Sequence, residues 1–178
     1  MFVLQNHRTA LTTIQQRYPG ACIIDVTSKG EEPWVRFSPF YPHGGIPVPF
    51  SSGWTSASVE GIWQGLKVFE RADVDTSKFS NTTMKKLKRS ARTYGKVLGH
   101  RAGVGGQELL PYLVARQQIY LPSYQWVLEN RLQEQLAELR RLEQLHGTVV
   151  LLDYETNSDP NDSRKPLSHA SLIISHLT

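Results

Sequence analysis

The stretch Arg36–Lys67 reads RFSPFYPHGGIPVPFSSGWTSASVEGIWQGLK, and its character changes halfway along. The first half sets aromatic residues among prolines and turns through the Gly44-Gly45 pair. Four prolines lie between Pro39 and Pro49. Each lacks a backbone N–H, so we expect an ordered loop or an edge segment here and not a central strand. We interpret the whole stretch as one wall of a ligand pocket.

The second half of the stretch predicts a helix from Ala57 to Glu70. Its apolar residues recur at the spacing of one helical face: Val59, Ile62, Trp63, Leu66 and Phe69. Glu60, Gln64 and Lys67 line an adjacent face. A capping-box role for Glu60 is disfavoured, since Ala57 is a poor N-cap and Ser56 lies one residue too early. Two interpretations of Glu60 stay open: an exposed acid favoured by the helix dipole, or a functional carboxylate beside the aromatic loop.

Composition describes an ordinary globular chain. The 178 residues are 39% hydrophobic and 20% charged, which predicts a single domain over residues 1–178 with a real core. No apolar run reaches the ~20 residues of a membrane helix, so no membrane partner is expected. The single cysteine, Cys22, favours a reducing compartment and hence a cytoplasmic location. No Cys/His set has metal-ligand spacing, and we predict neither a metal nor another cofactor.

Periodicity and turn residues divide the rest of the chain into alternating elements. We predict helices over Leu4–Tyr18, from the Ser77–Asn81 caps to Gly95, over Gln107–Leu145 with an interruption near Pro122, and over Pro166–Leu177, and strands over Ala21–Thr27, Trp34–Phe37 and Thr148–Tyr154. The last strand is apolar on both faces and is expected at the centre of its sheet. The predicted fold is a mixed α/β (α+β) single domain, rich in helix, around a small sheet.

The charges are divided unevenly along the chain. No acidic residue lies between Asp75 and Glu108, a segment rich in Lys and Arg, which favours an anionic ligand and leaves nucleic acid open. Arg101 is the basic residue that we single out there. Half of the carboxylates lie between Glu129 and Asp162. Asp153 ends the apolar strand, where side chains of α/β proteins converge on ligands, although ordinary turn chemistry also explains its neighbours.

Two motifs resemble the NADAR/YbiA-like superfamily of N-glycosidases. Phe37-Ser38-Pro39-Phe40-Tyr41-Pro42 is similar to its FSNFYP-like motif. Ser58, Glu60, Gln64 and Lys67 match the S/T-x-E-H-x-x-Q-x-x-K-F helix at nearly the same spacing, and Leu98–Arg101 resembles its L-G-R element with one inserted residue. Pro39 and Gly61 replace an asparagine and a histidine, and the D-x-x-W-G signature is missing. The chain thus resembles a divergent branch, of bacterial or phage type.

The resemblance implies an N-glycoside hydrolase that acts on a ribosyl or ADP-ribosyl nucleotide, as a small molecule or on nucleic acid. It also implies which residues form the site. The candidate catalytic residues are Glu60, Asp153 and Asp159. The candidate ligand-binding residues are Arg36, Phe40, Tyr41, Trp63, Gln64, Lys67 and Arg101.

Two other functions stay open at this point. The missing D-x-x-W-G element and the basic segment favour a protein that binds a nucleotide or nucleic acid without cleaving it. The leucines along Glu129–Leu145 also suit an interaction protein, but the same pattern fits a core helix, and the oligomeric state is left open.

Overall fold

A computed structural model describes residues 1–178. Along the chain the elements are β1 (Phe2–Asn6), α1 (Leu11–Arg17), β2 (Cys22–Asp25), β3 (Ile46–Pro47), β4 (Thr55–Ser56), α2 (Val59–Leu66), β5 (Lys67–Phe69), α3 (Ala91–Tyr94), β6 (Val97–Arg101), β7 (Leu109–Leu110), α4 (Tyr112–Ala115), α5 (Leu121–Arg131), α6 (Gln133–His146), β8 (Val149–Asp153) and α7 (His169–Leu177). Two 3-10 helices (Trp34–Phe37 and Thr76–Ser80) and a π-helical turn (Arg116–Tyr120) complete them. The expected α+β class is confirmed.

The chain forms two compact units, one comprising residues 1–38 with 128–178 and the other residues 39–127. None of the helices combines the length and apolar character needed to cross a membrane.

The first unit is built on a parallel sheet in the order β1-β8-β2. All five residues of β8 are buried, which confirms the prediction of a central strand covered on both faces. The predicted strand after Ala21 is confirmed as β2. The helix predicted from Leu4 is wrong at its start, because Phe2–Asn6 pairs along β8 as a strand and the helix begins at Leu11. The strand predicted at Trp34–Phe37 is a 3-10 helix.

The second unit carries an antiparallel sheet in the order β5-β6-β7 and a two-stranded ribbon of β3 and β4. The proline-rich segment contributes only Ile46–Pro47 to this ribbon, as an edge segment should. The helix predicted to reach Gly95 is wrong over its middle. Met84 and Lys86 adopt left-handed φ angles. The Asn81 side-chain amide donates to the Lys85 carbonyl, which in a helix would accept from a backbone N–H instead.

The long helical region breaks at a different residue from the one predicted. Pro122 is the second residue of α5, shortly after the π-helical turn at Arg116–Tyr120. Because proline has no N–H, one helical hydrogen bond is missing there. The break falls at Leu132, whose φ of −121° and ψ of 18° leave the helical region before α6 begins. The closing helix is confirmed as α7, although it starts at His169 and not at Pro166.

Candidate functional site

Helix α2 is shorter than predicted, and its capping explains the position of Glu60. Ser58 is the N-cap, and its hydroxyl accepts a 2.9 Å hydrogen bond from the Gly61 N–H. The helix ends at Leu66, and Lys67 already belongs to β5. Glu60 is the second helical residue and only 8% exposed, so the interpretation as a solvated acid is wrong. The other acidic residues of the second unit are exposed or half-buried.

Gln64 connects Glu60 to Arg89. The Gln64 Nε2 donates to Glu60 Oε1 at 2.8 Å, and the Gln64 Oε1 accepts from the Arg89 backbone N–H at 3.0 Å. Because a backbone N–H can only donate, the second bond fixes which end of the Gln64 amide is oxygen. The NH₂ end is thereby directed at the carboxylate. The carboxylate thus keeps one fixed hydrogen bond in a site nearly closed to solvent.

Burial and charge act in opposite directions on Glu60. Burial raises the pKa of its carboxyl group, while the Gln64 hydrogen bond, Lys67 and Lys88 oppose that rise without cancelling it. Burial likewise lowers the pKa of Lys67; Glu60 opposes this, and Arg89 and Lys88 add to it. A carboxyl group with a raised pKa exchanges protons closer to neutral pH, which suits acid–base chemistry.

The second unit contains a cavity of about 300 Å³ beside this network. That volume lies at the lower end of the range for small-molecule sites. The residues that line it are Trp63, Lys67, Val97, Leu98, Gly99, His100 and Tyr112. Two of the predicted ligand-binding residues, Trp63 and Lys67, are therefore brought together at one cavity. Glu60 and Gln64 lie on α2 together with Trp63 but do not line the cavity.

Trp63 is the aromatic centre of this cavity. Its ring lies 3.8 Å from the His100 ring, with an interplanar angle of 31°. Tyr112 and Tyr120 meet it edge-on, at 5.9 and 5.8 Å between ring centroids. Together with the His100 ring, these contacts hold the indole in one orientation. Tyr112 is 41% exposed and stands at the rim.

His100 lines the cavity, and it was not among the predicted site residues. It lies on β6 opposite Lys67 of β5, which places both side chains on the same face of the sheet. It is 1% exposed, and neither ring nitrogen has a hydrogen-bond partner. Leu98 and His100 are two residues apart and would share one face of a strand, which was the available sequence signal. Only Arg101 was singled out in this segment.

Burial and charge keep the His100 ring neutral. Burial, and then the nearby charge of Lys67, lower its pKa to about 3. The Trp63 carbonyl opposes this shift weakly, at a geometry that falls short of a hydrogen bond. A neutral imidazole offers one donor and one acceptor.

Arg89 is a second buried residue that no sequence pattern indicated. Its guanidinium donates to the carbonyls of Gln64, Lys67 and Asp73 at 3.1, 2.6 and 2.7 Å. Two of these carbonyls lie at the C-terminal end of α2, where a cation is favourable. The group also lies over the Phe69 ring, 5.0 Å from its centroid. Arg89 therefore holds the helix, the following strand and the loop after it together.

The other predicted residues of the second unit lie outside the cavity lining. Phe40 lies under the Lys88 ammonium, 5.7 Å from the ring centroid. Tyr41 packs against His43 at 4.8 Å. Arg101, which was singled out as a phosphate ligand, forms an ion pair with Asp73 at 3.1 Å and bonds the Gln107 carbonyl.

In the first unit, Arg36 and Asp159 have local contacts. The Arg36 Nε donates to the Glu32 carboxylate at 2.7 Å, four residues earlier in the chain. Asp159 is exposed in the loop after β8, where its carboxylate accepts from the Asn161 N–H at 2.8 Å. This is the turn chemistry that the sequence left open for that loop.

Asp153 is buried at the end of β8 and bonded to the start of α7. Its Oδ2 accepts from the Ser168 hydroxyl at 2.7 Å and from the Ala170 N–H at 3.2 Å, and lies 3.1 Å from His169 Nδ1. Burial opposes ionisation, but His169 and the two hydrogen bonds prevail and lower the pKa of Asp153 to about 2. These contacts join β8 to α7.

Two glycines let α2 pack closely on the 3-10 helix at Thr76–Ser80. A Cβ at Gly61 would lie 2.6 Å from the Lys78 carbonyl oxygen, and a Cβ at Gly65 would overlap the Phe79 ring. Gly61 stands where the family that the sequence resembles carries a histidine. No side chain fits at that position in this packing, so a contribution from a histidine there is excluded.

The comparisons with known proteins give a family. No curated protein matches the chain. The family of unknown function DUF6939 matches residues 6–173, which is nearly the whole sequence. The chain therefore belongs to the DUF6939 family.

Proposed function

We propose that the protein is an N-glycoside hydrolase that cleaves a ribosyl or ADP-ribosyl nucleotide in the cytoplasm. The observation that carries the proposal is the buried Glu60 carboxylate, held by Gln64, with one cavity residue, Trp63, on the same helix and a second, Lys67, directly after its end. The resemblance of Glu60, Gln64 and Lys67 to the NADAR helix agrees with it. This residue set combines a carboxylate for the glycosidic bond, an aromatic side chain for the base and a cation for an anionic group. These are the groups that recognition of a ribosyl nucleotide requires.

The reaction breaks the C1′–N bond of the substrate. The departing base keeps the bonding electrons and gains a proton, while a water oxygen bonds to C1′ and releases a proton to Glu60. Glu60 then passes that proton to solvent or to the base. An ionised carboxylate also stabilises the positive charge that develops on the ribose. The base lies in the aromatic cavity, and Lys67 contacts an anionic group of the substrate.

The test is product release from defined substrates. Purified protein is incubated with uridine monophosphate, ADP-ribose and ADP-ribosylated DNA, and free base and sugar are measured by liquid chromatography with mass spectrometry. Glu60→Gln should reduce release at least 100-fold, because the amide still accepts the Gln64 bond but cannot take a proton. Glu108→Gln, an exposed carboxylate in the same unit, is the matched control and should match the parent protein. Equal cleavage by Glu60→Gln would remove Glu60 from the mechanism.

A second candidate function is binding of the nucleotide, or of nucleic acid, without cleavage. It is favoured by Asp153, whose Oδ2 is bonded to the start of α7 and whose Oδ1 accepts from the Tyr154 N–H, and by Glu60, which does not line the cavity. The exposed lysines Lys85, Lys86 and Lys88 suit phosphates. Binding without product release, lost at moderate salt and on neutralising these lysines, would favour nucleic acid. Affinity that does not change with salt would count against it.

A further inference from the structure

His100 is unusual because it is fully buried and yet makes no hydrogen bond. Both ring nitrogens lack a partner, and the side chain is 1% exposed. Leaving a buried polar group without a hydrogen-bond partner lowers the stability of the folded state. A buried polar group without a partner in a native structure therefore needs an explanation, such as a functional role or a bound water or ion. Its ring is part of the wall of the 300 Å³ cavity, so the missing partner is expected there.

The surroundings of His100 define what that partner must be. The ring packs tilted against Trp63, with 3.8 Å between the ring centroids, and Tyr112 stands at the rim, so aromatic side chains line the cavity. Val97 and Leu98 add apolar surface. A flat ring fits such a lining. The ring must also carry hydrogen-bonding atoms, because otherwise the desolvation cost of His100 would persist in the complex.

The charge states of His100 and Lys67 restrict the class of ligand further. Burial and Lys67 keep the imidazole neutral, so it pairs with an uncharged N–H, C=O or ring nitrogen more readily than with a phosphate. The only cation among the lining residues is Lys67, which lies opposite His100 across the β5–β6 pair. An anionic group of the ligand is therefore expected at Lys67, next to the uncharged ring that pairs with His100.

We propose that the cavity binds an uncharged nitrogen heterocycle of the nucleobase class, stacked against Trp63 and selected by a hydrogen bond to His100. This inference rests on the proposed function, since it names the base end of the substrate. It assigns His100 as a specificity-determining residue and not as a proton carrier. Binding of a free base needs no bond cleavage, so the two proposals can fail separately.

The experiment measures binding of four probes, uracil, cytosine, adenine and nicotinamide, by isothermal titration and tryptophan fluorescence. At least one should bind the parent protein and quench its fluorescence, and Trp63→Phe should remove that quenching. His100→Phe keeps the ring but loses both polar atoms, and should weaken binding about tenfold or more. His100→Gln returns a donor and an acceptor and should recover part of the affinity. His146→Phe, an exposed histidine at the end of α6, should bind as the parent does.

A second measurement works without a variant. In the parent protein labelled with ¹⁵N-histidine, a saturating base should shift the ring nitrogen signals of one neutral histidine. The inference is overturned if no probe binds, if His100→Phe binds as tightly as the parent protein, or if no histidine signal moves at saturation. Failure of substrate cleavage with base binding intact would overturn the hydrolase proposal alone.

Discussion

Glu60 Oε1 accepts a hydrogen bond of 2.8 Å from Gln64 Nε2, one turn further along α2, at a point almost closed to solvent. Burying a carboxylate with a single amide donor is costly unless a ligand or a proton relieves it. The nearby Lys67 and Lys88 offset part of this cost, but burial still prevails in raising the pKa of the Glu60 carboxyl group. Glu60 is therefore a buried titratable group that the fold keeps at the expense of stability, as functional sites do.

The first prediction concerns the pH dependence of stability at Glu60. Its pKa in the folded protein lies above the unfolded value of 4.5, so the folded state holds more protons between the two values. Stability contributed by the protonated group is complete below pH 4.5 and is lost as pH rises through the folded pKa. Glu60→Gln mimics the protonated form, so its gain in unfolding free energy over the parent should grow from pH 4.5 upward. Urea unfolding at pH 4.5, 6 and 8 measures this, and a gain that shrinks with pH would contradict it.

The second prediction concerns Arg89, whose guanidinium reaches three backbone carbonyls. Lysine has one compact ammonium and cannot reach all three, so Arg89→Lys should lower the free energy of unfolding by about 2 kcal/mol. Arg92→Lys, on the exposed face of α3, should change it by less than about 0.5 kcal/mol. Equal stability of the two variants would show that the carbonyl contacts are replaceable.

The third prediction concerns the close packing of α2. Gly65→Ala places a methyl group against the Phe79 ring and should lower the free energy of unfolding by about 2 kcal/mol, even though alanine favours a helix. Gly105→Ala meets no atom within 4 Å and should be nearly neutral. Thermal unfolding of the two variants compares them, and a stabilised Gly65→Ala would refute the packing argument.

The fourth prediction concerns the link between β8 and α7. The His169 Nδ1 faces Asp153 at 3.1 Å and the Nε2 faces the Val26 carbonyl at 2.8 Å, so both nitrogens donate and the ring is cationic. Burial opposes this charge, but Asp153 and the Val26 carbonyl prevail and raise the pKa of His169. Asp153→Asn leaves that cation without its counter-charge, and should lower the free energy of unfolding by about 3 kcal/mol.

The Asp153–His169 pair should stabilise the folded protein only within a limited pH range. The contribution of His169 is complete below its unfolded pKa of 6.5 and is lost as pH rises through the higher folded pKa. That of Asp153 is complete above its unfolded value of 3.8 and is lost as pH falls towards about 2. The destabilisation by Asp153→Asn should therefore be largest between about pH 4 and 6.5. A constant penalty from pH 3 to 9 would show that the pair acts only by shape.

The sequence by itself determined the elements whose signal is local. Consecutive apolar residues identified β8, because a strand buried on both faces needs no polar alternation. Helical spacing identified α2 and placed Glu60 next to Gln64 and Lys67 along the chain. Gly95 was correctly identified as a helix end, and its φ of +84° explains why glycine stands there.

Only the tertiary structure decided the features that depend on partners far along the chain. Phe2–Asn6 is a strand because it pairs with β8, some 147 residues later, and nothing within its five residues requires this. Glu60 is buried because distant segments pack on α2, and Arg89 joins three segments through the carbonyls of Gln64, Lys67 and Asp73. His100 lies beside Lys67 because β6 pairs with β5, and it packs against the Trp63 ring. Periodicity reports which face of an element is apolar, whereas burial and charge at a site come from what packs against that face.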